Sequence, residues 1–207
     1  MHFKFGKFQF FGLALIIALS IISIWYPKNY FKQGKVIVAF GDSLTRGYGM
    51  VPPNKNYVVF LSSYINIPII NSGKTGDTTS DALIRLKEDV LDKKPNIVIV
   101  FLGGNDFFMG HNTEVVKANL TTMIKKIHEI GAKIILISTS SQVAPEYEKA
   151  IQQIATKEKV FAYIPGILNG ILFREDLLYD DIHPNDKGHE LIARKILPAL
   201  QGALNEN

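Results

Sequence analysis

The 207-residue chain contains no cysteine. That excludes a disulfide framework, a cysteine nucleophile, a thiolate zinc site and a lipoprotein attachment cysteine. Internal repeats and low-complexity tracts are missing too, which leaves no case for a solenoid or a long linker. After the first predicted strand there is neither G-x-x-x-x-G-K-[ST] nor G-x-G-x-x-G, so the phosphate cradles of common nucleotide binders are not encoded there. The G-x-S-x-G elbow of one large class of hydrolases is likewise absent.

Acidic residues are missing from the first 35 positions, where Lys4, Lys7, Lys28, Lys32 and Lys35 account for the formal charge of +4. The remaining 18 basic residues face 19 acidic ones, so the rest of the chain is about neutral. Lys93-Lys94 and Lys125-Lys126 are scattered pairs without an aromatic groove, and no nucleic-acid partner is expected.

Residues 8–26 form an uncharged apolar run of 19 residues, flanked by lysines and ending in Trp25 and Tyr26. This length lies at the lower edge of a membrane span, about 17 to 25 residues, and the aromatic pair suits an interfacial position. The expected reading is an uncleaved N-terminal anchor in a bacterial inner membrane, with the domain facing the periplasm or exterior. The alternative is a signal peptide cleaved near Ala18-Leu19-Ser20, giving a secreted or periplasmic protein. Residues 1–34 are thus assigned to the anchor or signal segment, and residues 35–207 to one domain of ordinary size.

Within that domain, β-branched apolar runs alternate with helical periodicity. Strands are expected at residues 35–40, 68–71, 97–102, 133–138 and 160–163. Helices are expected at 57–65, through Ala82 to Val90 behind a cap at Asp77, Thr78 or Thr79, at 115–130, at 146–157, and from Pro184 or Asn185 onward. Continuous apolar strands separated by amphipathic helices indicate an α/β fold with a parallel sheet covered on both faces. Ligands of such sheets bind beyond the strands' carboxyl ends.

Four motifs fall at or near those ends or in loops: Gly41-Asp42-Ser43-Leu44, a glycine turn closing at Gly76, Gly103-Gly104-Asn105-Asp106, and Asp180-Asp181-Ile182-His183. Together they hold the parts of an acyl-transfer site. A serine hydroxyl needs a base, and the base an orienting group. Of the five histidines, His2, His111, His128, His183 and His189, the first precedes the apolar segment, and His128 and His189 fall in predicted helices. His183 lies in a loop, three residues after Asp180 and just before Pro184, so a carboxylate can reach Nδ1 and leave Nε2 facing Ser43. Spacing does not separate Asp180 from Asp181 as orienter. Candidate donors to a developing oxyanion are the backbone N–H groups of Ser43 and Gly76 and the side-chain amide of Asn105.

The order and spacing of these blocks, covering about residues 36–200, resemble the GDSL or SGNH hydrolase family, in particular its bacterial thioesterase, arylesterase and lysophospholipase branch. The resemblance implies a flavodoxin-like three-layer sandwich with a five-stranded parallel sheet. It also implies Ser43 as nucleophile, Ser43, Gly76 and Asn105 at the oxyanion, and Asp180 with His183 completing the triad. No cofactor or metal is implied, and a monomer is expected. The implied substrates are acyl esters or thioesters, lysophospholipids among them. Tyr48, Met50, Val51 and residues 165–173 could supply apolar surface beside the site. Lys74 in the glycine turn departs from close relatives and leaves substrate preference open. Competing readings are a cell-envelope carbohydrate O-deacetylase and a catalytically silent envelope binding protein.

Overall fold

A computed structural model describes residues 34–49, 55–139 and 142–206. The expected N-terminal apolar helix lies outside the described residues. Among the described residues, no helix is long and apolar enough to cross a membrane.

Five strands, β1 (Ile37–Gly41), β2 (Ile69–Gly73), β3 (Ile97–Phe101), β4 (Lys133–Ile137) and β5 (Ala162–Ile164), form one sheet in the order β2-β1-β3-β4-β5. Every pairing is parallel. The helices are α1 (Ser43–Arg46), α2 (Tyr57–Ile65), α3 (Thr79–Asp89), α4 (Gly104–Phe108), α5 (Thr113–Glu129), α6 (Pro145–Lys157) and α7 (Asp186–Asn205).

The central strands β1, β3 and β4 read as nearly unbroken apolar runs because both faces are covered. Ile37, Ala39, Ile97, Ile99, Phe101, Ile135 and Ile137 point into one core with Tyr57 and Leu61 of α2 and Ile192, Ile196 and Leu200 of α7. Their neighbours Val38, Phe40, Val98, Val100, Ile134 and Leu136 point the other way, against Leu86 of α3, Leu120 and Ile124 of α5 and Ile151 and Ile154 of α6. The two-residue alternation of a strand thus sorts one apolar string into two cores.

The register carries the site. Gly41 of β1 lies level with Gly73 of β2 on one side and Phe101 of β3 on the other, so three strands end flush. From β1 the chain goes out to β2 on one side and then crosses to β3 on the other, which makes this the switch in strand order where such sheets hold ligands. Immediately beyond, α1 crosses the strand ends. A Cβ on Gly41 would lie 2.1 Å from Thr45 Oγ1 and 2.6 Å from the Phe101 carbonyl, and one on Gly73 would lie 2.2 Å from the Arg46 amide nitrogen. Only glycine at these strand ends lets the short helix come so close.

Most boundaries agree with expectation to within two residues. The last strand starts two residues late, at Ala162, because Val160 donates its N–H to the Ala155 carbonyl as the chain closes α6 through Lys159 at φ 52°. The helices α1 and α4 were not expected, because four or five residues beside glycines carry no readable period. Thr78 is the residue that caps α3, accepting from the Asp81 N–H while Asp81 accepts from the Thr78 N–H.

Candidate active site

Ser43 opens α1 directly after β1, and Asp42 caps it, accepting the Leu44 N–H at 3.0 Å. Strand β2 and helix α2 pin it. Asn71 Nδ2 donates to the Thr45 carbonyl at 2.7 Å, and the Thr45 and Tyr57 hydroxyls meet at 2.8 Å in the core. Ser43 is buried but its side chain borders a cavity.

His183 reaches the same point from the C-terminal end of the chain. Its Nε2 lies 3.0 Å from Ser43 Oγ, and its Nδ1 lies 2.8 Å and 3.0 Å from the two oxygens of Asp180. Asp180 Oδ1 also accepts the N–H groups of Ile182 at 3.0 Å and His183 at 2.7 Å, folding the loop around its own carboxylate. Burial acts to raise the Asp180 carboxyl, but these two N–H donors and the imidazole outweigh it and hold it below its ordinary value. The loop is tied down by the Tyr179 N–H to the His183 carbonyl at 2.7 Å and by Asn185, which caps α7 through the Lys187 and Gly188 N–H groups. The Tyr48 ring tilts against the imidazole at 4.6 Å. Asp181 instead faces the cavity, and Asp180 is the carboxylate on the ring.

The two remaining motifs come from the ends of β2 and β3. Gly76 adopts φ +84°, where a side chain would be strained, in a turn closed by the Asp77 N–H to the Lys74 carbonyl at 3.3 Å. Asn105 Nδ2 donates to the Asp77 carbonyl at 2.8 Å, so the side chain is aimed by the glycine turn. Asp106 is fully buried and accepts both the N–H and the hydroxyl of Thr79 at 2.8 Å, locking α4 to the start of α3. An amide keeps a second N–H after making one bond.

Ser43, Gly76, Asn105 and His183 border one cavity of about 330 Å³. Its far wall is apolar, formed by Phe107, Phe108, Val143, Leu168, Leu172 and Phe173. The expected apolar segment 165–173 therefore borders the cavity, whereas Met50 and Val51 lie outside the described residues. Segment 165–173 is held by Lys195 Nζ, which donates to the carbonyls of Ile167 and Asn169 at 2.7 Å each. At the start of that segment, the Gly166 N–H donates to Ser138 Oγ at 3.0 Å.

The other histidines among the described residues stand apart from Ser43. His128 is exposed on α5, and His111 Nδ1 lies 3.3 Å from Asp106. His189 is buried on the inner face of α7, accepts the Tyr57 N–H at 3.3 Å and is pushed down to about 4 by burial, which keeps it neutral. Among the described residues, no three His, Asp or Glu side chains are grouped to hold a metal ion. Sequence reasoning missed the structural tasks of Asp77, Arg85 and Asp106. Asp106 stood inside a motif and Asp77 just after one, as a cap candidate, but nothing in their spacing says which partner each would meet.

Asp42 yields a pH prediction. Burial pushes its carboxyl up to about 7, the Leu44 N–H opposes the rise, and the charges of Asp77 and Asp106 add to it. The folded value lies above the unfolded one near 3.8, so this group's contribution to stability is fully present below pH 3.8 and is lost as pH rises through 7. Asp42→Asn keeps an acceptor for Leu44 and cannot ionise. It is expected to raise Tm at pH 8 by roughly 5 °C or more and to change it little at pH 4, checked by thermal unfolding at both values. Equal shifts at the two pH values would contradict the assignment.

The chain is 26% identical over 200 residues to the arylesterase of Vibrio mimicus, covering 90% of this chain and 98% of that one. It is 26% identical over 182 residues to esterase TesA of Pseudomonas aeruginosa, covering 82% and 90%. A crystal structure of TesA matches at a TM-score of 0.75 and 25% identity, over 82% of this chain and all but 1% of that one, 99% being covered. Residues 39–191, from within β1 into α7 and including all four motifs, match the GDSL-like Lipase/Acylhydrolase family, and the chain belongs to that family.

Proposed function

We propose that the protein hydrolyses acyl esters or thioesters through an acyl-Ser43 intermediate. The observation that carries this reading is the continuous contact from Ser43 Oγ to His183 Nε2 at 3.0 Å and from His183 Nδ1 to Asp180 at 2.8 Å, opening on an apolar cavity. His183 Nε2 takes the Ser43 proton as Oγ forms a bond to the acyl carbonyl carbon. The carbonyl oxygen becomes an oxyanion, received by the N–H groups of Ser43 and Gly76 and the second N–H of Asn105. Collapse expels the alcohol or thiol, which leaves with the proton from His183. A water molecule then gives a proton to His183 and its oxygen to the acyl carbon. The second collapse breaks the Oγ bond, releases the carboxylic acid and returns the proton to Ser43.

The cavity wall supports an acyl chain longer than acetyl. Phe107, Val143, Leu168 and Leu172 offer no partner for sugar hydroxyls, and desolvating those hydroxyls without new hydrogen bonds is unfavourable. The test is a series of p-nitrophenyl esters from acetate to palmitate with a matching acyl thioester, after fluorophosphonate labelling has located the reactive serine. The expected outcome is labelling at Ser43 and kcat/KM rising at least tenfold from acetate to a medium chain, since each buried CH2 is worth about 0.8 kcal/mol. A maximum at acetate would favour the O-deacetylase reading. Labelling elsewhere, or no turnover of any ester, would overturn the proposal.

A further inference from the structure

Arg85 sits in the middle of α3, yet its side chain is only 13% exposed. Every nitrogen of its guanidinium is used. Nε donates to Asp77 Oδ2 at 2.5 Å, Nη1 to Asp89 Oδ2 at 2.7 Å and the Ser72 carbonyl at 2.9 Å, and Nη2 to the Gly41 carbonyl at 2.9 Å. Its carbon lies over the Phe40 ring at 4.5 Å from the centroid. The Asp89 contact alone would be an ordinary i,i+4 helix pair. The other three acceptors belong to the frame of the active site.

Gly41 lies two positions before Ser43, Ser72 stands at the end of β2 before the glycine turn, and Asp77 follows Gly76 in that turn. The Asp77 carbonyl is also the group that receives Asn105 Nδ2 at 2.8 Å. One planar cation therefore joins the strand end that carries the nucleophile to the turn that presents one oxyanion donor and aims another. Lys74, the other cation paired with Asp77, is 66% exposed with Nζ 3.9 Å from Asp77 Oδ1, beyond hydrogen-bond distance. A lysine at position 85 would supply a charge but not a rigid fork able to serve several acceptors.

We propose that Arg85 is a positioning residue for the oxyanion site, fixing the Gly76 turn and, through the Asp77 carbonyl, the Asn105 amide relative to Ser43. The proposal rests on the reading that Gly76 and Asn105 receive the oxyanion. Substrate binding in the apolar cavity does not involve Arg85, so its loss falls on the chemical step. Misplaced donors cost much of what deleting one costs, and donor deletion lowers kcat by about 100- to 1,000-fold.

The experiment measures kcat, KM and Tm for wild type, Arg85→Gln, Arg85→Lys, Asn105→Ala, the double variant Arg85→Gln/Asn105→Ala, and Lys87→Gln as a same-helix charge control, on the best p-nitrophenyl ester. Arg85→Gln is expected to lower kcat by about 10- to 100-fold with KM within about twofold, and Arg85→Lys to recover part of the loss. In the Asn105→Ala background the same change is expected to cost only a few-fold, because the part of the effect that passes through the Asn105 amide is already lost and only the Gly76 part remains. A clamp that only holds the fold together would lower Tm while leaving kcat per folded active site unchanged, and that result overturns the proposal. So would a loss that multiplies fully with that of Asn105→Ala. Should Arg85→Gln fail to fold, Asp77→Asn weakens the same link with an isosteric side chain, and an unchanged kcat there overturns the proposal equally. If Asn105→Ala retains wild-type kcat, the oxyanion reading itself has failed, which separates that failure from a failure of the role given to Arg85.

Discussion

Ser43→Ala is expected to lower kcat on an activated ester by about a millionfold, and adding His183→Ala to it is expected to cost almost nothing more. The reason is that the two side chains act as one unit. The hydroxyl becomes a nucleophile only as Nε2, 3.0 Å away, accepts its proton, and without the hydroxyl the imidazole has no proton to accept at that point. Single-residue losses in such units are grossly non-additive, and what remains comes from the oxyanion donors and from binding. Each variant is measured against the uncatalysed rate, with Tm recorded to show that the fold is kept. Three further histidines lie among the described residues, but none touches Ser43, so none can substitute for His183. A double variant slower than Ser43→Ala by another factor of 100 would mean that His183 works independently of Ser43, against the proposed mechanism.

The residues legible from sequence were those whose chemistry and position can be read locally. Ile37 to Phe40 and Ile97 to Phe101 announce strands buried on both faces, and Ser43 and Asn105 had to fall beyond their ends. A carboxylate for His183 could be read locally, because Asp180 and Asp181 precede it in one short loop, but spacing left the two open and only the family resemblance pointed to Asp180, the one that meets the ring. What was not legible depends on contacts between segments distant in sequence. Arg85 carries the ordinary signature of a solvated helix position, and only the register of β1 with β2 puts Gly41, Ser72 and Asp77 around its head group. Asp106 looked like part of a glycine turn, yet its partner Thr79 is 27 residues away. The cavity wall combines Phe107 from α4, Val143 before α6 and Leu168 after β5, a combination set by sheet order and not by any local pattern.

Asp180 and Asp181 give the second large prediction, because the two carboxylates are adjacent in sequence and opposite in use. Asp180→Asn is nearly isosteric and can keep its oxygen toward the N–H groups of Ile182 and His183. Its amide NH2 then faces Nδ1, where the carboxylate accepted a proton-bearing nitrogen at 2.8 Å. The imidazole answers by moving its proton to Nε2, and an Nε2–H cannot accept from Ser43. A wrong tautomer of this kind lowers kcat by about 10,000-fold with the geometry intact. Asp181→Asn changes a group that borders the cavity and makes no bond to the ring, so kcat is expected to stay within about threefold of wild type. The comparison uses kcat at saturating ester and Tm for both variants. Equal losses at the two positions, or the larger loss at Asp181, would reassign the orienting carboxylate. A large loss confined to Asp180→Asn, with unchanged Tm, would tie catalysis to the imidazole tautomer and not to the charge of the loop, since both substitutions remove the same negative charge from neighbouring positions.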